Sequence, residues 1–319
     1  MKRNNAIRMF FLVFVLSGLF GCGRHHETET VIIPDTTTAT TTTVEKLVIV
    51  LGGDIVEYPL SGEPSFNVLV SGFPGSNLNF PASVKAGTTT NLVFTSPGPA
   101  SDNCPLPGIF TKEDGQPIKR LAGKDSAGVC DGLFCSRPTL EDGRVFFDTH
   151  NAVDGAQRIY SIPFGGGDRK SLVDTNFATH AVFRGGSLFY VSNGGAKREA
   201  FSGNTGKLIP SSLNSDAQSD LAPSKDGRFT LVALGRDNST NLAIFDGTGL
   251  RELTPLVPGV CDIQAHWTGD EKKVVFRRLT GTPSCFSDTS PSVFTINADG
   301  SGLSKKPDLE GATFVSIAR

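Results

Sequence analysis

The sequence predicts an all-β protein: a six-bladed β-propeller of four-stranded antiparallel blades, with the ring closed by the C-terminal strand. Three observations predict this class. One phrase of turn, strand, loop, strand and Gly turn recurs along the chain, the strand-like runs are short, and no helical period follows Cys22. The 36 glycines and 19 prolines suit many short strands that are joined by tight turns.

The recurring phrase is clearest in the C-terminal third of the chain. One copy covers residues 226–254 and another covers residues 270–302, each with an Asp turn, two strand-like runs and an Asp-Gly turn. The second Gly turn of the phrase occurs six times, at Ser61-Gly62, Asp114-Gly115, Gly165-Gly166, Ser202-Gly203, Asp246-Gly247 and Asp299-Gly300. The steps of roughly 37 to 53 residues are typical of four-stranded propeller blades.

The first unit lacks a strand, and the chain end supplies a spare one. Only a Thr-rich stretch precedes the run that begins at Leu47, whereas residues 312–318 form an alternating run without a unit of their own. We therefore expect the C-terminal run to pair with the first blade as its innermost strand. Such closure removes the exposed sheet edges that would otherwise promote aggregation.

The N-terminus predicts export and lipidation. Residues 1–21 combine a basic start with a short apolar run, and Leu19-Phe20-Gly21-Cys22 resembles a bacterial lipobox, in which the cysteine becomes lipidated. Residues 22–45 are polar and Thr-rich, which is typical of a flexible tether, and residues 46–319 form the propeller. The predicted location is the bacterial cell envelope, at the periplasmic or surface face of the outer membrane.

The repeat resembles that of the TolB β-propeller family. Residues 221–254 carry the resemblance best, with Asp226-Gly227, a strand, Asp246-Gly247-Thr248-Gly249 and a final Leu-Thr. The segment His266-Trp267-Thr268-Gly269-Asp270 is similar to the Trp-Ser-Pro-Asp turn of that family. The resemblance implies the fold and says little about function.

Five cysteines follow Cys22, in a chain that is predicted to enter an oxidising compartment. The repeat geometry places Cys261 and Cys285 at the same end of one blade, and Cys104 and Cys130 in the same relation. We predict disulfides Cys104–Cys130 and Cys261–Cys285 with Cys135 free and buried; a Cys130–Cys135 pair is the main alternative.

Composition and motifs exclude several function classes. The formal net charge is −2, which gives no electrostatic footprint for nucleic acid. The sequence has no Gly-x-Ser-x-Gly elbow, phosphate-binding loop or Cys-x-x-Cys zinc pattern. The aspartates of the turns are interpreted as structural, because Asp accepts local backbone hydrogen bonds there.

Two overlapping sets of residues are candidates for a site. Polar residues near the starts of the innermost strands predict a ligand or partner site at the channel mouth, or only a water-lined channel: Arg137, His180, Asp220, Asp262 and His266. Some propeller lyases that resemble this repeat family hold a metal through His and Gln, which suggests a second set: His150, His180, Gln264 and His266. The alternative is that these histidines are scattered and each is hydrogen-bonded locally.

The predicted function is that of a non-enzymatic scaffold. We expect a lipid-anchored, monomeric propeller without a cofactor, which binds an envelope protein or a cell-wall component and contacts the membrane through its N-terminal lipid. The alternative is a carbohydrate-active lyase that depends on a divalent metal ion held by the channel histidines.

Overall fold

A computed structural model describes residues 44–73, 78–86, 89–98, 104–124, 131–151, 154–173, 177–193, 198–203, 206–214, 216–281, 284–287 and 291–318. Within these ranges the chain forms 23 β-strands, numbered in chain order, and two short 3-10 helices at Cys285–Ser287 and Pro307–Leu309. The predicted signal peptide, Cys22 and most of the predicted tether lie outside them. No helix in the described ranges is long and apolar enough to cross a membrane.

The first two sheets each have four antiparallel strands. One contains β1 (Lys46–Leu51), β2 (Asp54–Pro59), β3 (Asn67–Val70) and β23 (Phe314–Ile317), in the order β23-β1-β2-β3. The other contains β4 (Asn79–Ala86), β5 (Thr89–Ser96), β6 (Gly108–Glu113) and β7 (Lys119–Ala122), in chain order.

The next two sheets follow the same up-and-down plan. One contains β8 (Leu133–Glu141), β9 (Arg144–Asn151), β10 (Gln157–Pro163) and β11 (Lys170–Val173). The other has three strands within the described residues: β12 (Thr179–Arg184), β13 (Ser187–Asn193) and β14 (Arg198–Ser202). Beyond β14, a single antiparallel bridge joins Phe201 and Lys207.

The last sheet has eight strands in two halves. The first half contains β15 (Ala217–Pro223), β16 (Thr230–Arg236), β17 (Ser239–Phe245) and β18 (Leu250–Glu252). The second contains β19 (Val260–Trp267), β20 (Lys273–Thr280), β21 (Ser292–Asn297) and β22 (Ser304–Lys306). One parallel bridge between Thr240 and Cys261 connects the halves, and Trp267 Nε1 donates a hydrogen bond to the Ala222 carbonyl across them at 2.9 Å.

The prediction of six separate four-stranded blades therefore needs correction. The described strands group into five sheets, of which three have four strands, one has three and one has eight. Two local causes account for the difference: the Thr240–Cys261 bridge merges two four-stranded units, and β14 is followed by one bridge in place of a ladder. The architecture is an all-β propeller of antiparallel blades.

The C-terminal strand pairs with the first strand of the domain. β23 lies antiparallel to β1, with Leu47 opposite Ile317 and Val50 opposite Phe314. Val315 and Ile317 are buried there. This is the strand pairing that the spare C-terminal run predicts.

The core consists of apolar clusters between neighbouring sheets. Because both faces of a blade are covered, the central strands are near-continuous apolar runs, as in residues 47–50, which are all buried. One cluster joins β1, β2 and β23 to β20 and β21, with Ile49 and Val315 packed in the same group as Val275 and Val293. Five further clusters link the other neighbouring strand groups of the propeller.

Locally bonded aspartates build the outer turns, as the sequence predicts. Asp246 Oδ1 accepts hydrogen bonds from the Thr248 amide, the Thr248 hydroxyl and the Gly249 amide at 2.9, 2.9 and 2.7 Å. Asp299 Oδ1 accepts from the Ser301 amide and hydroxyl at 2.9 and 2.7 Å. These bonds lower the pKa of both carboxyls, because they favour the ionised form.

Candidate functional site

The innermost strands share a backbone irregularity at the same depth. In β4, β8, β12, β15 and β19 the antiparallel register with the second strand shifts, at residues 79–82, 136–139, 179–182, 219–222 and 263–266. A β-bulge adds a residue to one strand of a pair and turns its side chain away from the regular alternation. Each of these strands therefore presents one side chain in a direction that a regular strand would not.

The residue at each bulge has a left-handed backbone although none of them is glycine. Their φ angles lie between 47° and 55°, and they are Phe80, Arg137, His180, Asp220 and Gln264. A positive φ costs an L-residue about 1–2 kcal/mol, and for a bulky residue such as Phe it is rare. Five strands adopt this unfavourable backbone conformation at equivalent positions. We therefore attribute it to the packing of the strands around the channel and not to the sequence of any single strand.

All five bulge residues line one cavity of about 110 Å³, the channel cavity. Every innermost strand contributes to its wall, β23 included: Phe80, Pro81, Ala82, Arg137, Pro138, Thr139, His180, Ala181, Val182, Asp220, Leu221, Gln264, Ala265, His266, Phe314, Val315 and Ser316. Neighbouring bulge residues contact each other: the Arg137 guanidinium lies 5.2 Å from the Phe80 ring centroid, and His180 Nε2 lies 3.1 Å from Asp220 Oδ1.

A second cavity of about 310 Å³, the mouth cavity, lies where these strands begin. It shares Phe80, Arg137 and His180 with the channel cavity. Its further lining residues come from the starts of β4, β8, β10, β12 and β14, from the ends of β5 and β9 and from the residue before β6: Asn79, Thr95, Pro107, Phe134, Cys135, Ser136, Asp148, Thr149, His150, Gln157, Thr179 and Arg198. This end of the propeller is called the channel-mouth face below.

His180 is buried and held by hydrogen bonds at both ring nitrogens. Thr179 Oγ1 lies 2.9 Å from Nδ1, and Asp220 Oδ1 lies 3.1 Å from Nε2. Burial lowers the pKa of His180 well below its ordinary value of 6.5, and the guanidinium groups of Arg137 and Arg198 add to this effect. The ring is therefore neutral at pH 7, with Nε2–H donating to Asp220 and Nδ1 accepting from Thr179.

Asp148 is a buried carboxyl that its surroundings satisfy only in part. Its Oδ2 accepts a hydrogen bond from Ser136 at 3.1 Å, while Oδ1 has no partner among the described residues. Burial raises its pKa from 3.8 to about 6, and the charge of Arg137 and the bond from Ser136 oppose this rise only partly. A group that changes charge near neutral pH and lies at a cavity is a candidate functional residue.

Cys135 also lines the mouth cavity, and its chemistry is that of a core residue. It is fully buried and unpaired. Burial raises the pKa of its thiol to about 12, so the reactive thiolate is not populated at pH 7. The prediction of a free, buried Cys135 agrees with this placement.

The structure brings most of the predicted channel-mouth residues together and separates one of them. Arg137, His180, Asp220 and His266 line the channel cavity. Asp262 does not line either cavity: it is completely buried, and Arg278 binds its two carboxylate oxygens at 2.6 and 2.8 Å. Asp262 lies opposite Arg278 in the β19–β20 pair, before the bulge at residues 263–266, so its side chain shares a sheet face with Arg278 and does not line the channel.

The predicted metal-binding set is divided between the two cavities. His180, Gln264 and His266 line the channel cavity, whereas His150 lies at the mouth cavity, with Nδ1 3.5 Å from Gln157 Nε2. Within the described residues, no group of three or more His, Cys, Asp or Glu side chains is placed to hold a metal ion.

The sequence prediction missed Phe80, Phe314, Asp148 and Arg198 as cavity residues. One signal was available for Asp148, because it interrupts the apolar run 145–147 of a central strand. Phe80 is found only when the innermost strands are aligned on their bulges. Arg198 begins the third strand of its sheet, and nothing in the repeat marks that position.

One predicted disulfide is present in the described residues. Cys261 at the start of β19 is bonded to Cys285 in the first 3-10 helix, with 5.6 Å between their Cα atoms. Cys104 is disulfide-bonded as well, but its predicted partner Cys130 lies outside the described residues. The Cys261–Cys285 bond fastens the β20–β21 connection to the channel-mouth face.

Solved structures share this fold at low sequence identity. TolB from Acinetobacter baumannii has a TM-score of 0.59 and 14% identity, over 86% of this chain and 64% of that chain. A structure described as TolB from Agrobacterium tumefaciens has a TM-score of 0.62 and 13% identity, over 86% and 97%. A chain in the crystal structure of a nidogen/laminin complex has a TM-score of 0.61 and 12% identity, over 86% and 98%.

These comparisons define the class of protein at the level of the fold. No family model and no curated protein matches the chain. The chain spans less than two thirds of the Acinetobacter protein. The predicted resemblance is confirmed: the protein has a TolB-like β-propeller fold with four-stranded antiparallel blades.

Proposed function

We propose that this protein is a lipid-anchored component of the bacterial envelope whose propeller binds a protein partner on its channel-mouth face. The observation that carries the proposal is the set of exposed apolar side chains at the end of the propeller where the innermost strands begin. TolB-like propellers are rigid frames that present loops at one end, so a binding face needs no change of fold.

The channel-mouth face carries five large apolar side chains that are exposed to solvent: Phe134, Phe177, Leu213, Val257 and Phe286. Four of them lie at or just before the start of an innermost strand, and Phe286 lies beside the Cys261–Cys285 disulfide. Phe286 is 66% exposed, the largest value in this group. Aromatic side chains on a rigid surface are typical anchors of protein interfaces.

The remaining large apolar side chains that are exposed in the described residues lie elsewhere: Val44, Phe66, Val68, Phe229 and Leu303. They belong to connections at the opposite end of the strands or to the outer strand β3. They offer a matched set for comparison, because they are also large and apolar but lie away from the strand starts of the channel-mouth face.

The proposed scaffold is a closed ring of blades. The innermost strands β23, β4, β8, β12, β15 and β19 supply the wall of one channel cavity, which supports an arrangement of the sheets around one axis. The apolar cluster that joins β1, β2 and β23 to β20 and β21 supports contact between the last unit and the first. A closed ring without free sheet edges is rigid enough to hold a binding face in shape.

The proposed anchor is the lipidated Cys22, followed by the tether of residues 22–45. A polar, Thr-rich segment before β1 supports a propeller that is held away from the outer membrane. The TolB-like fold supports an envelope location. No observation favours the lyase alternative, since its histidines are divided between two cavities.

The binding proposal is tested by capture of envelope proteins on two double variants. Phe177→Ser with Phe286→Ser removes apolar groups from the channel-mouth face, and Phe66→Ser with Leu303→Ser removes them from elsewhere. We expect the first pair to abolish capture of a partner that the wild type and the second pair both retain. Equal capture by both pairs, or no partner for the wild type, would contradict the proposal.

The anchor is tested by replacing the predicted lipidation site. We expect Cys22→Ser to remain unlipidated and to lose the detergent partitioning of the wild type, because the variant has no thiol for the diacylglycerol group. Metabolic labelling with a fatty-acid analogue provides the measurement. Labelling of Cys22→Ser equal to that of the wild type would show that the lipid is attached elsewhere or not at all.

A further inference from the structure

The mouth cavity is lined by charged groups that have no hydrogen-bond or ion-pair partner among the described residues. Two arginines, Arg137 and Arg198, line it. Among the described residues neither guanidinium donates a hydrogen bond or forms an ion pair, although Arg137 stacks on Phe80. A guanidinium has five N–H donors, and unpaired donors at a cavity wall favour a carboxylate or phosphate.

The other polar groups of this cavity do not neutralise the two arginines. His180 is neutral, and both of its ring nitrogens are already hydrogen-bonded to Thr179 and Asp220. His150 contacts Gln157. Asp148 is the one carboxyl among the described lining residues, so the two guanidinium groups leave the wall with a net positive charge at pH 7.

Asp148 supplies a second, independent feature. The residue is 6% exposed, and its Oδ1 atom lacks a hydrogen-bond partner in the described structure. A buried acceptor without a partner destabilises the folded protein, because the hydrogen bonds that it makes to water in the unfolded chain are not replaced. A ligand with a hydroxyl or amino group would satisfy this oxygen, whereas an anion that cannot donate would leave it unsatisfied.

Size and wall chemistry limit the ligand further. The cavity volume of about 310 Å³ lies at the lower end of the range for small-molecule sites. Phe80 and Phe134 give part of the wall an apolar character. A peptide or polysaccharide chain would fill more than this volume, whereas a small organic anion fits within it.

We propose that the mouth cavity binds a small organic anion, with a carboxylate or phosphate group held by Arg137 and Arg198 and a hydroxyl or amino donor held by Asp148. The bulge at Arg137 contributes to this site, because the left-handed backbone at Arg137 directs its side chain into the cavity. The cavity lies within the channel-mouth face proposed above, but the anion site depends on Arg137, Arg198 and Asp148 and the protein-binding test on Phe177 and Phe286, so either proposal can fail without the other.

Isothermal titration calorimetry on the full chain in detergent at pH 7 tests this inference with two matched pairs of probes. L-Malate and succinate differ by one hydroxyl, and glycerol 3-phosphate and glycerol differ by the phosphate. We expect malate and glycerol 3-phosphate to bind, succinate to bind more weakly, and glycerol not to bind. Absence of binding by every anion, or equal binding of glycerol, would overturn the proposal.

Variants assign the roles of the residues. Arg137→Gln and Arg198→Gln should each weaken malate binding about tenfold or more, the usual size for loss of a charged hydrogen bond. Asp148→Asn should remove the preference for malate over succinate. Arg228→Gln is the matched control and should leave the affinity unchanged. Arg228 lies in the turn between β15 and β16, away from the mouth cavity, with 76% of its side chain exposed.

Thermal melting of each variant separates a lost site from a lost fold. Arg198 is exposed at the start of β14, so its replacement decides the question even if Arg137→Gln fails to fold. Unchanged affinity in a folded Arg198→Gln variant would contradict the proposal. An equal loss in Arg228→Gln would mean that the anions bind the protein surface non-specifically, which also contradicts it.

Discussion

Two aspartates, one on the outer turns and one at the channel, differ in how many hydrogen bonds they accept and in the direction of their pKa shifts. Asp246 accepts three local hydrogen bonds through one oxygen, and these lower its pKa. Asp148 accepts a side-chain hydrogen bond from Ser136, its Oδ1 lacks a partner at hydrogen-bond distance in the described residues, and burial raises its pKa to about 6. The outer turns are satisfied by neighbours in sequence, whereas the channel groups depend on distant strands.

This difference separates what stabilises the fold from what is available for binding. The turn aspartates recur because each repeat needs the same local bonds. The bulges recur as a backbone feature, but their side chains are aromatic, cationic, neutral polar and anionic in turn. The same β-bulge, repeated in five strands, therefore presents five different chemical groups to one cavity. In this way a repeat protein can form a binding site that is not itself repetitive.

The largest expected effect comes from removing the strand that completes the channel wall. Deletion of residues 314–319 removes β23, exposes the edge of β1 and takes Val315 and Ile317 out of the core. We expect the free energy of unfolding to fall by about 4 kcal/mol or more, measured by urea denaturation. Leu303→Ser, at an exposed site, is the control, and an unchanged urea midpoint in the truncated chain would show that β23 does not complete the fold.

The second prediction contrasts the two aspartates directly. Because the folded pKa of Asp148 is raised from 3.8 to about 6, ionisation costs the folded state about 3 kcal/mol at pH 8. We expect Asp148→Asn to raise the free energy of unfolding at pH 8 by about this amount. The gain should disappear as the pH falls from 6 to 4, where the folded wild type is already protonated.

Asp246→Asn is the matched control and should act in the opposite direction. The pKa of Asp246 is lowered, so its stabilising contribution is present above the unfolded value of 3.8 and is lost as the pH falls through the folded pKa. The variant should therefore be less stable than the wild type at pH 7 and equal to it in strong acid. Stabilisation by both substitutions would remove the distinction between the two regions.

A smaller effect should reveal the neutral His180. Its folded pKa lies well below 6.5, so only the unfolded chain takes up a proton as the pH falls below 6.5, and stability declines there. Protonation of Asp148 acts in the opposite sense over part of this range, so the Asp148→Asn background is needed to observe it.

The measurement compares Asp148→Asn with the double variant Asp148→Asn/His180→Gln at pH 7 and pH 5. We expect the single variant to lose stability on acidification and the double variant to lose much less. The change with pH is the readout, because the loss of the Thr179 and Asp220 hydrogen bonds lowers the stability of the double variant at both values. Equal acid sensitivity would show that His180 is not held neutral.

The sequence predicted those parts of the fold that local chemistry determines. The turns at Asp246 and Asp299, the apolar central strands and the pairing of the C-terminal run with β1 all follow from local pattern or from a strand without a partner. The grouping of strands into sheets was less predictable, because one bridge between Thr240 and Cys261 is enough to merge two units.

The candidate site was predictable only in part, for a geometric reason. Arg137, His180 and Asp220, chosen because they lie near strand starts, line the channel cavity, whereas Asp262, chosen by the same rule, precedes a bulge and faces Arg278. Phe80 and Arg198 line the cavities from positions that nothing in the repeat distinguishes. The alternation of residues along a strand contains no sign of a bulge. A prediction from alternation therefore assigns side chains beyond the bulge to the wrong face of the strand.

The ionisation of Asp148 tests most directly whether the channel holds polar groups that the fold leaves unpaired. A carbon-13 NMR titration of side-chain carboxyls, with the Asp148 resonance assigned by its absence in Asp148→Asn, gives the midpoint. We expect the Asp148 carboxyl to titrate with a midpoint near pH 6. A midpoint of about 4 or lower, the ordinary range of a solvated or well-paired aspartate, would contradict it.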